Sequence, residues 1–173
     1  MIHFDTEKSI EVAAREALLD RVMGRARLLK ASERLRRGRL PAEGLSLVAR
    51  DGAKLVGTVR LWNVAAGGRP ALLLGPLAVD PAAQGDGVGA NLMRLAIARA
   101  GALGHAGIVL VGDPEYYERF GFTADRTAGL IMPAPVERRR FLGLDLAARG
   151  LTSASGLIVP TGEQTSARER IAA

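Results

Sequence analysis

Cysteine is absent, and histidine occurs only at His3 and His105 in 173 residues. Without cysteine there is no disulfide, thiolate metal site, iron–sulfur cluster or cysteine nucleophile. Two histidines exclude a His-rich metal site and argue against a His-based triad, so no metal is expected. Aromatic residues are also scarce: one Trp, two Tyr and four Phe. Four of them crowd together as Tyr116, Tyr117, Phe120 and Phe122. No stretch approaches the ~18 uncharged apolar residues of a membrane span. Residues 1–9 are polar, carry Asp5 and Glu7, and lack the basic-then-apolar pattern of a secretory signal. A cytoplasmic protein is the expectation.

The chain carries 48% apolar residues, enough for one sizeable core, and its length fits a single domain over residues 1–173. Net charge is +6, with only Lys8, Lys30 and Lys54 as lysine among 24 basic residues. The densest basic stretch, residues 15–39, has nine basic and three acidic residues. It contains no aromatic of the kind that stacks on bases, so it reads as a solvated helix face and argues against a nucleic-acid partner. The same charge would help to hold an anionic ligand.

Apolar residues at Ile10, Ala13, Ala14, Ala17 and Leu18 predict a helix over residues 7–23. A second helix is expected over residues 25–37, ended by Gly38 and Pro41. The period then changes. Residues 45–50 and 54–63 read as strands joined at Asp51-Gly52, and a turn at residues 66–68 leads to a third strand over residues 71–79. That strand is apolar throughout, which predicts burial on both faces. A helix over residues 87–103 follows, with Leu103 on its apolar face, then a short strand over residues 108–111. Strand, helix and strand in this order make the two strands parallel. Residues 114–120 read as a short helix, residues 122–160 as strands with a helical turn, and residues 163–173 as a flexible tail. The fold class is α/β (α+β): a mixed, mostly antiparallel twisted sheet with a central parallel pair and helices on both faces. Ligands in such sheets sit beyond the carboxyl ends of the parallel strands, here near residues 79–89 and 111–114.

Between the third strand and its helix lie Gln84, Gly85, Asp86, Gly87, Val88 and Gly89. Glycines at alternate positions admit a close backbone approach, and the helix start offers free N–H groups and a positive dipole end. A phosphate or pyrophosphate suits both, as does a tight turn without a ligand. A P-loop is excluded, because no Lys or hydroxyl residue follows the glycines. A dinucleotide fingerprint fits poorly, because residues 80–83 separate the glycines from the strand and the expected acid is missing. Gly75-Pro76 falls inside the third strand. Proline cannot donate to a sheet ladder, so a bulge there would splay this strand from residues 108–111 and leave backbone groups unpaired.

The string Leu77-Ala78-Val79-Asp80-Pro81, followed by Gln84-x-x-Gly87-x-Gly89, resembles motif A of the GCN5-related N-acetyltransferase (GNAT) superfamily. The run from Tyr116 to Phe122 resembles its motif B, with Tyr117 four residues before Gly121. Leu110-Val111-Gly112-Asp113-Pro114 leading into the tyrosines is similar to a bacterial subgroup, the YhbS-like acetyltransferases. The resemblance implies an N-acetyltransferase moving acetyl from the cosubstrate acetyl-CoA to a primary amine. It places the pyrophosphate on the N–H groups of Gly85, Asp86, Gly87, Val88, Gly89 and Ala90, after Gln84. Leu77, Ala78 and Val79 would pair with the pantetheine arm, and the Val79 N–H would face the thioester carbonyl. Tyr117 would protonate the departing thiolate. Asp86 should point outward, because a carboxylate repels pyrophosphate. Asp113 is expected near the cosubstrate or as a helix cap, and no general base stands out. Tyr116, Phe120 and Phe122 read as core. The acceptor stays open, a homodimer is allowed, and no membrane partner is expected. Two other readings remain: a non-catalytic acyl-CoA-binding module, and an acetyltransferase associated with RNA or the ribosome.

Overall fold

The computed structural model describes residues 1–166. Its strands are β1 (Ile2–Thr6), β2 (Ser46–Asp51), β3 (Lys54–Ala66), β4 (Arg69–Val79), β5 (Gly107–Val111), β6 (Leu130–Ile131), β7 (Phe141–Asp145) and β8 (Gly156–Pro160). The α-helices are α1 (Val12–Met23), α2 (Glu33–Arg36), α3 (Val88–Ala102) and α4 (Pro114–Tyr117). The strand order is β1-β2-β3-β4-β5-β7, with β8 pairing both β3 and β6. Within that order every pair is antiparallel except β4 with β5, the crossover expected around α3.

Side-chain alternation assigns each face of the sheet its helix. Leu47, Ala49, Val59, Leu61, Leu72 and Leu74 pack against Val88, Leu92, Met93 and Ala96 of α3. Val48 and Leu55 pack on Leu18 of α1, while Trp62, Val64 and Leu73 pack with Leu35 of α2. Thus α3 covers one face and α1 and α2 the other. The turns use glycine where the backbone needs it: Gly67 and Gly68 have φ of 56° and 81° and close the Ala66↔Arg69 hairpin.

The N-terminal third departs from the sequence reading. Residues 2–6, read only as a polar start, form an edge strand on β2, with the alternating Ile2 and Phe4 turned onto the core. The α-helix starts at Val12, after a 3-10 turn at Ser9–Glu11 that leaves Ile10 85% exposed. Glu7 is not helical. Its carboxylate is buried between Arg15 (3.1 Å) and Arg60 (2.7 Å). The second helix is broken into a 3-10 turn, Arg25–Leu29, and the single turn of α2. Arg27 reaches back to Glu16 (2.5 Å) and Asp20 (3.0 Å), and Lys30 is extended. Those ion pairs tie the segment to α1 and leave Leu29 in solvent. The basic stretch is a solvated face only in part: Arg21, Arg25, Lys30, Arg34 and Arg37 are exposed, whereas Arg15, Arg27 and Arg36 are buried. Leu103, assigned to the apolar face of α3, lies past its end and is 56% exposed. Glu163 and Thr165, expected in a flexible tail, hydrogen-bond to the backbone of Leu40 and Gly38. The rest of that tail, residues 167–173, lies outside the described residues.

Candidate functional site

The site begins with a register fault in β4. Leu74 pairs with Leu61 and Leu77 with Val59, so Gly75 and Pro76 together oppose Arg60 alone. This is the bulge expected from Gly75-Pro76. Gly75 has φ of 131°, and its carbonyl accepts the Trp62 indole N–H at 2.7 Å. Pairing of β4 with β5 stops beside the bulge, being confined to Leu72↔Ile108 and Leu73↔Val109. Beyond it the strands diverge. The Asp80 N–H donates to Val56 on β3 at 2.8 Å. Because strand residues alternate edges, Ala78 also faces β3, and the N–H groups of Leu77 and Val79 face the gap.

A cleft of about 710 Å³ fills that gap. Leu77, Ala78 and Val79 form one wall, and Val111, Gly112, Asp113, Tyr116 and Tyr117 the other. Gln84, Gly85, Gly87, Val88, Gly89 and Ala90 close one end. Val22, Met23 and Lys30 of the N-terminal helices, with Arg119 and Arg140, complete it. Asp86 is exposed and is not among the lining residues, in keeping with an outward carboxylate.

The three glycines of the loop have different roles. Gly85 and Gly87 have φ of 96° and 73°, conformations that other residues adopt at a cost. Gly89 is helical, but a Cβ there would stand 2.8 Å from the Tyr116 hydroxyl and 3.4 Å from Val79 Cγ2. It lets Tyr116 and β4 close on the helix start. The helix ladder resumes with Asn91 N–H donating to the Gly87 carbonyl, which leaves the N–H groups of Val88, Gly89 and Ala90 without intrahelical acceptors. Asp80 anchors the loop. Its carboxylate accepts from Ala82 N–H at 3.0 Å and pairs with Lys54 (2.9 Å) and Arg21 (3.0 Å). Lys54 and the Ala82 N–H hold its pKa below the ordinary value. The sequence reading gave Asp80 no role; its signal was the Asp-Pro pair, an acid placed to cap a turn.

Tyr117 stands across the gap. Its ring packs on Gly112, where a Cβ would meet the ring at 2.3 Å, and edge-on to Tyr116 and Phe122. The hydroxyl has no hydrogen-bond partner among the described residues. Burial, aided by Tyr116 and Asp113, pushes its pKa up to about 12, and Arg140 opposes the shift. Gly112→Ala should displace the ring and lower turnover about tenfold or more, the cost of moving a reacting group by an ångström or so. Comparing the thermal midpoint with the rate separates this from unfolding.

The other candidates occupy varied positions. Asp113 makes no side-chain cap bond and instead pairs with Arg140 at 3.5 Å. Phe122 is core, whereas Tyr116, which reads as core, lines the cleft with the Arg119 guanidinium 4.4 Å from its ring centre. Among the described residues no group of three or more His, Asp or Glu could hold a metal.

The profile of the acetyltransferase (GNAT) domain matches residues 42–124, the stretch from just before β2 through the gap and Tyr117. The N-acetyltransferase YhbS of Escherichia coli is 32% identical over 117 residues, 66% of this chain and 70% of that protein. YjhQ, an N-acetyltransferase of E. coli K12, is 34% identical over 102 residues, and the match spans 55% of this chain and 56% of YjhQ. The crystal structure of E. coli YhbS in complex with CoA superposes with a TM-score of 0.78 at 29% identity, covering 92% of this chain and 89% of that one. A GNAT acetyltransferase from Brucella melitensis in complex with acetyl-CoA gives 0.58 at 29% identity, covering 96% and 97%. By its identity to YhbS over 70% of that protein and its superposition on the YhbS fold, the chain belongs to the GNAT family of acetyltransferases, on its YhbS-like branch.

Proposed function

We propose that this protein transfers the acetyl group of acetyl-CoA to a primary amine by direct attack. The observation that carries this reading is the free edge of Leu77 and Val79 facing Tyr117 across one gap, with the glycine loop at its end. The pantetheine arm would add to β4 as a strand. The N–H groups of residues 85–90 would take the pyrophosphate, with the α3 dipole and the guanidinium of Arg119 adding positive potential. The Val79 N–H would donate to the thioester carbonyl and to the oxyanion that forms from it.

The chemistry then needs few groups. A neutral amine nitrogen attacks the carbonyl carbon and a C–N bond forms. The tetrahedral intermediate collapses, the C–S bond breaks, and the sulfur leaves with its electron pair. Tyr117 supplies a proton to that sulfur and regains one from solvent, while the new amide nitrogen loses its extra proton to water. No enzyme nucleophile is required, in keeping with the absence of cysteine.

Release of CoA thiol should accelerate when amines of differing charge are added to the protein with acetyl-CoA. Acetyl-CoA should also raise the thermal midpoint, because a ligand of the folded state stabilises it. A thermal shift without CoA release from any amine would favour an acyl-CoA-binding module. Neither effect at large excess would contradict both readings.

A further inference from the structure

The gap between β4 and β5 opens onto both faces of the sheet. On the α3 face its lining is the glycine loop with Tyr116 and Tyr117. On the other face it is Val22, Met23 and Lys30. A cosubstrate seated on the α3 side leaves the α1–α2 side for the acceptor, so the charge of that side bears on which amine fits.

That side holds cations whose countercharges are used up. Arg36 is 8% exposed. Its Nε and Nη2 both donate to one oxygen of Glu33, at 3.3 and 3.1 Å. Its Nη1 makes no hydrogen bond among the described residues. This edge abuts the β4 bulge, 3.5 Å from where a Cβ on Gly75 would stand, two residues before the cleft wall begins at Leu77; Arg36 itself is not among the lining residues. The Gly75 carbonyl accepts from Trp62 and makes no bond to this edge. Among the described residues, Lys30, which is exposed and lines the cleft, has no ion pair, and the Nε of the buried Arg27 has no partner. The carboxylates at hand are engaged: Glu16 and Asp20 with Arg27, Glu33 with Arg36, Asp80 with Arg21 and Lys54, and the cleft-lining Asp113, on the opposite wall, with Arg140 at 3.5 Å. Burial and the nearby Arg27 push the Arg36 pKa down against the pull of Glu33.

We propose that the acceptor is a primary amine bearing a carboxylate, which docks on Arg36 Nη1 at the β4 bulge with Lys30 as second cation. This rests on the acetyl-transfer reading. A carboxylate would supply the acceptor that Nη1 lacks and the countercharge that Lys30 lacks, in a charge-assisted bond stronger than a neutral one. A second ammonium on the acceptor would find no free carboxylate there among the described residues. The amine would then lie toward Leu77 and Val79, the strand residues that follow the bulge.

The test compares glycine, β-alanine and γ-aminobutyrate, each with its own carboxamide, and adds 2-aminoethylphosphonate. CoA release is the readout, in the wild type and in Arg36→Lys and Lys30→Ala. Arg36→Lys keeps the charge and loses the guanidinium fork. The expected result is that an acid exceeds its amide about tenfold or more in kcat/KM, as one charge-assisted hydrogen bond provides. In the variants that ratio should fall toward one. Amides equal to or faster than their acids would overturn the proposal, as would a ratio that survives both substitutions. A phosphonate that outruns every acid would overturn the carboxylate assignment. If nothing in the panel turns over, the thermal midpoint of the acetyl-CoA complex decides. It should rise with an acid and not with its amide, and equal midpoints would overturn the proposal. Failure of acetyl-transfer itself looks different, with neither an acetyl-CoA shift nor CoA release from any amine.

Discussion

Tyr117→Phe is expected to lower kcat about 100-fold while leaving the KM for acetyl-CoA within about twofold. The magnitude is that of losing one positioned acid. The split between the constants follows from where the hydroxyl stands. It has no hydrogen-bond partner among the described residues, so the folded protein loses no bond when it goes. The ring, which packs on Gly112 and against Tyr116 and Phe122, is kept. An unperturbed tyrosine would ionise near pH 10. Tyr117, pushed up to about 12 by burial, stays protonated through the working range. The wild-type rate should therefore show no descending limb from this group below about pH 11. Stopped-flow or steady-state thiol release over pH checks both points. A variant with wild-type turnover would remove Tyr117 from the mechanism.

Glu7→Ala is expected to cost about 3 kcal/mol of stability, a thermal midpoint lower by on the order of 10 °C. The Glu7 side chain is 3% exposed, and the two guanidiniums it joins, Arg15 and Arg60, are 7% and 14% exposed. Removing the carboxylate leaves two cations with little water between α1 and β3. Arg15 keeps its bond to Glu16 at 2.8 Å, which holds the cost near the lower end for a broken buried pair. Asp51, which pairs with the N-terminal ammonium at 3.4 Å, provides the contrast. Both of those partners are well exposed, so Asp51→Ala should cost below about 1 kcal/mol. Differential scanning calorimetry of the two variants checks the difference. Equal losses would mean that the Glu7 network adds nothing beyond a surface pair.

The sheet was legible where residue type and period act locally. Asp51-Gly52, the turn at residues 66–68, the apolar run of β4 and the long amphipathic α3 each carry a signal within a few residues, and each appears as expected. The bulge was legible because proline removes one particular hydrogen bond. The N-terminal third was not. The β1 strand is short, with only Ile2 and Phe4 to turn onto the core, and it exists because β2 offers it an edge. The helix expected over residues 25–37 breaks because Arg27 pairs with Glu16 and Asp20, and no helical period records such bonds. Within the site, residues 84–90 and Tyr117 were legible through their resemblance to the two family motifs, whereas the glycines by themselves suited a tight turn equally well. Val22, Met23 and Lys30 were not legible, since only the packing of α1 across the sheet brings them to the cleft. Gly112, which holds Tyr117 in place, likewise acts through a contact that appears only once the chain is folded, whereas Asp80 carried a local signal in its Asp-Pro pair.

A crystal structure of the acetyl-CoA complex tests the central claim most directly. The prediction is that the pantetheine lies along residues 77–79 as an added strand and that the pyrophosphate rests on the N–H groups of residues 85–90. The thioester oxygen should stand about 2.7–3.1 Å from the Val79 nitrogen, with the sulfur facing the Tyr117 hydroxyl. A cosubstrate bound outside the gap between β4 and β5, or one whose sulfur lies away from Tyr117, would contradict it.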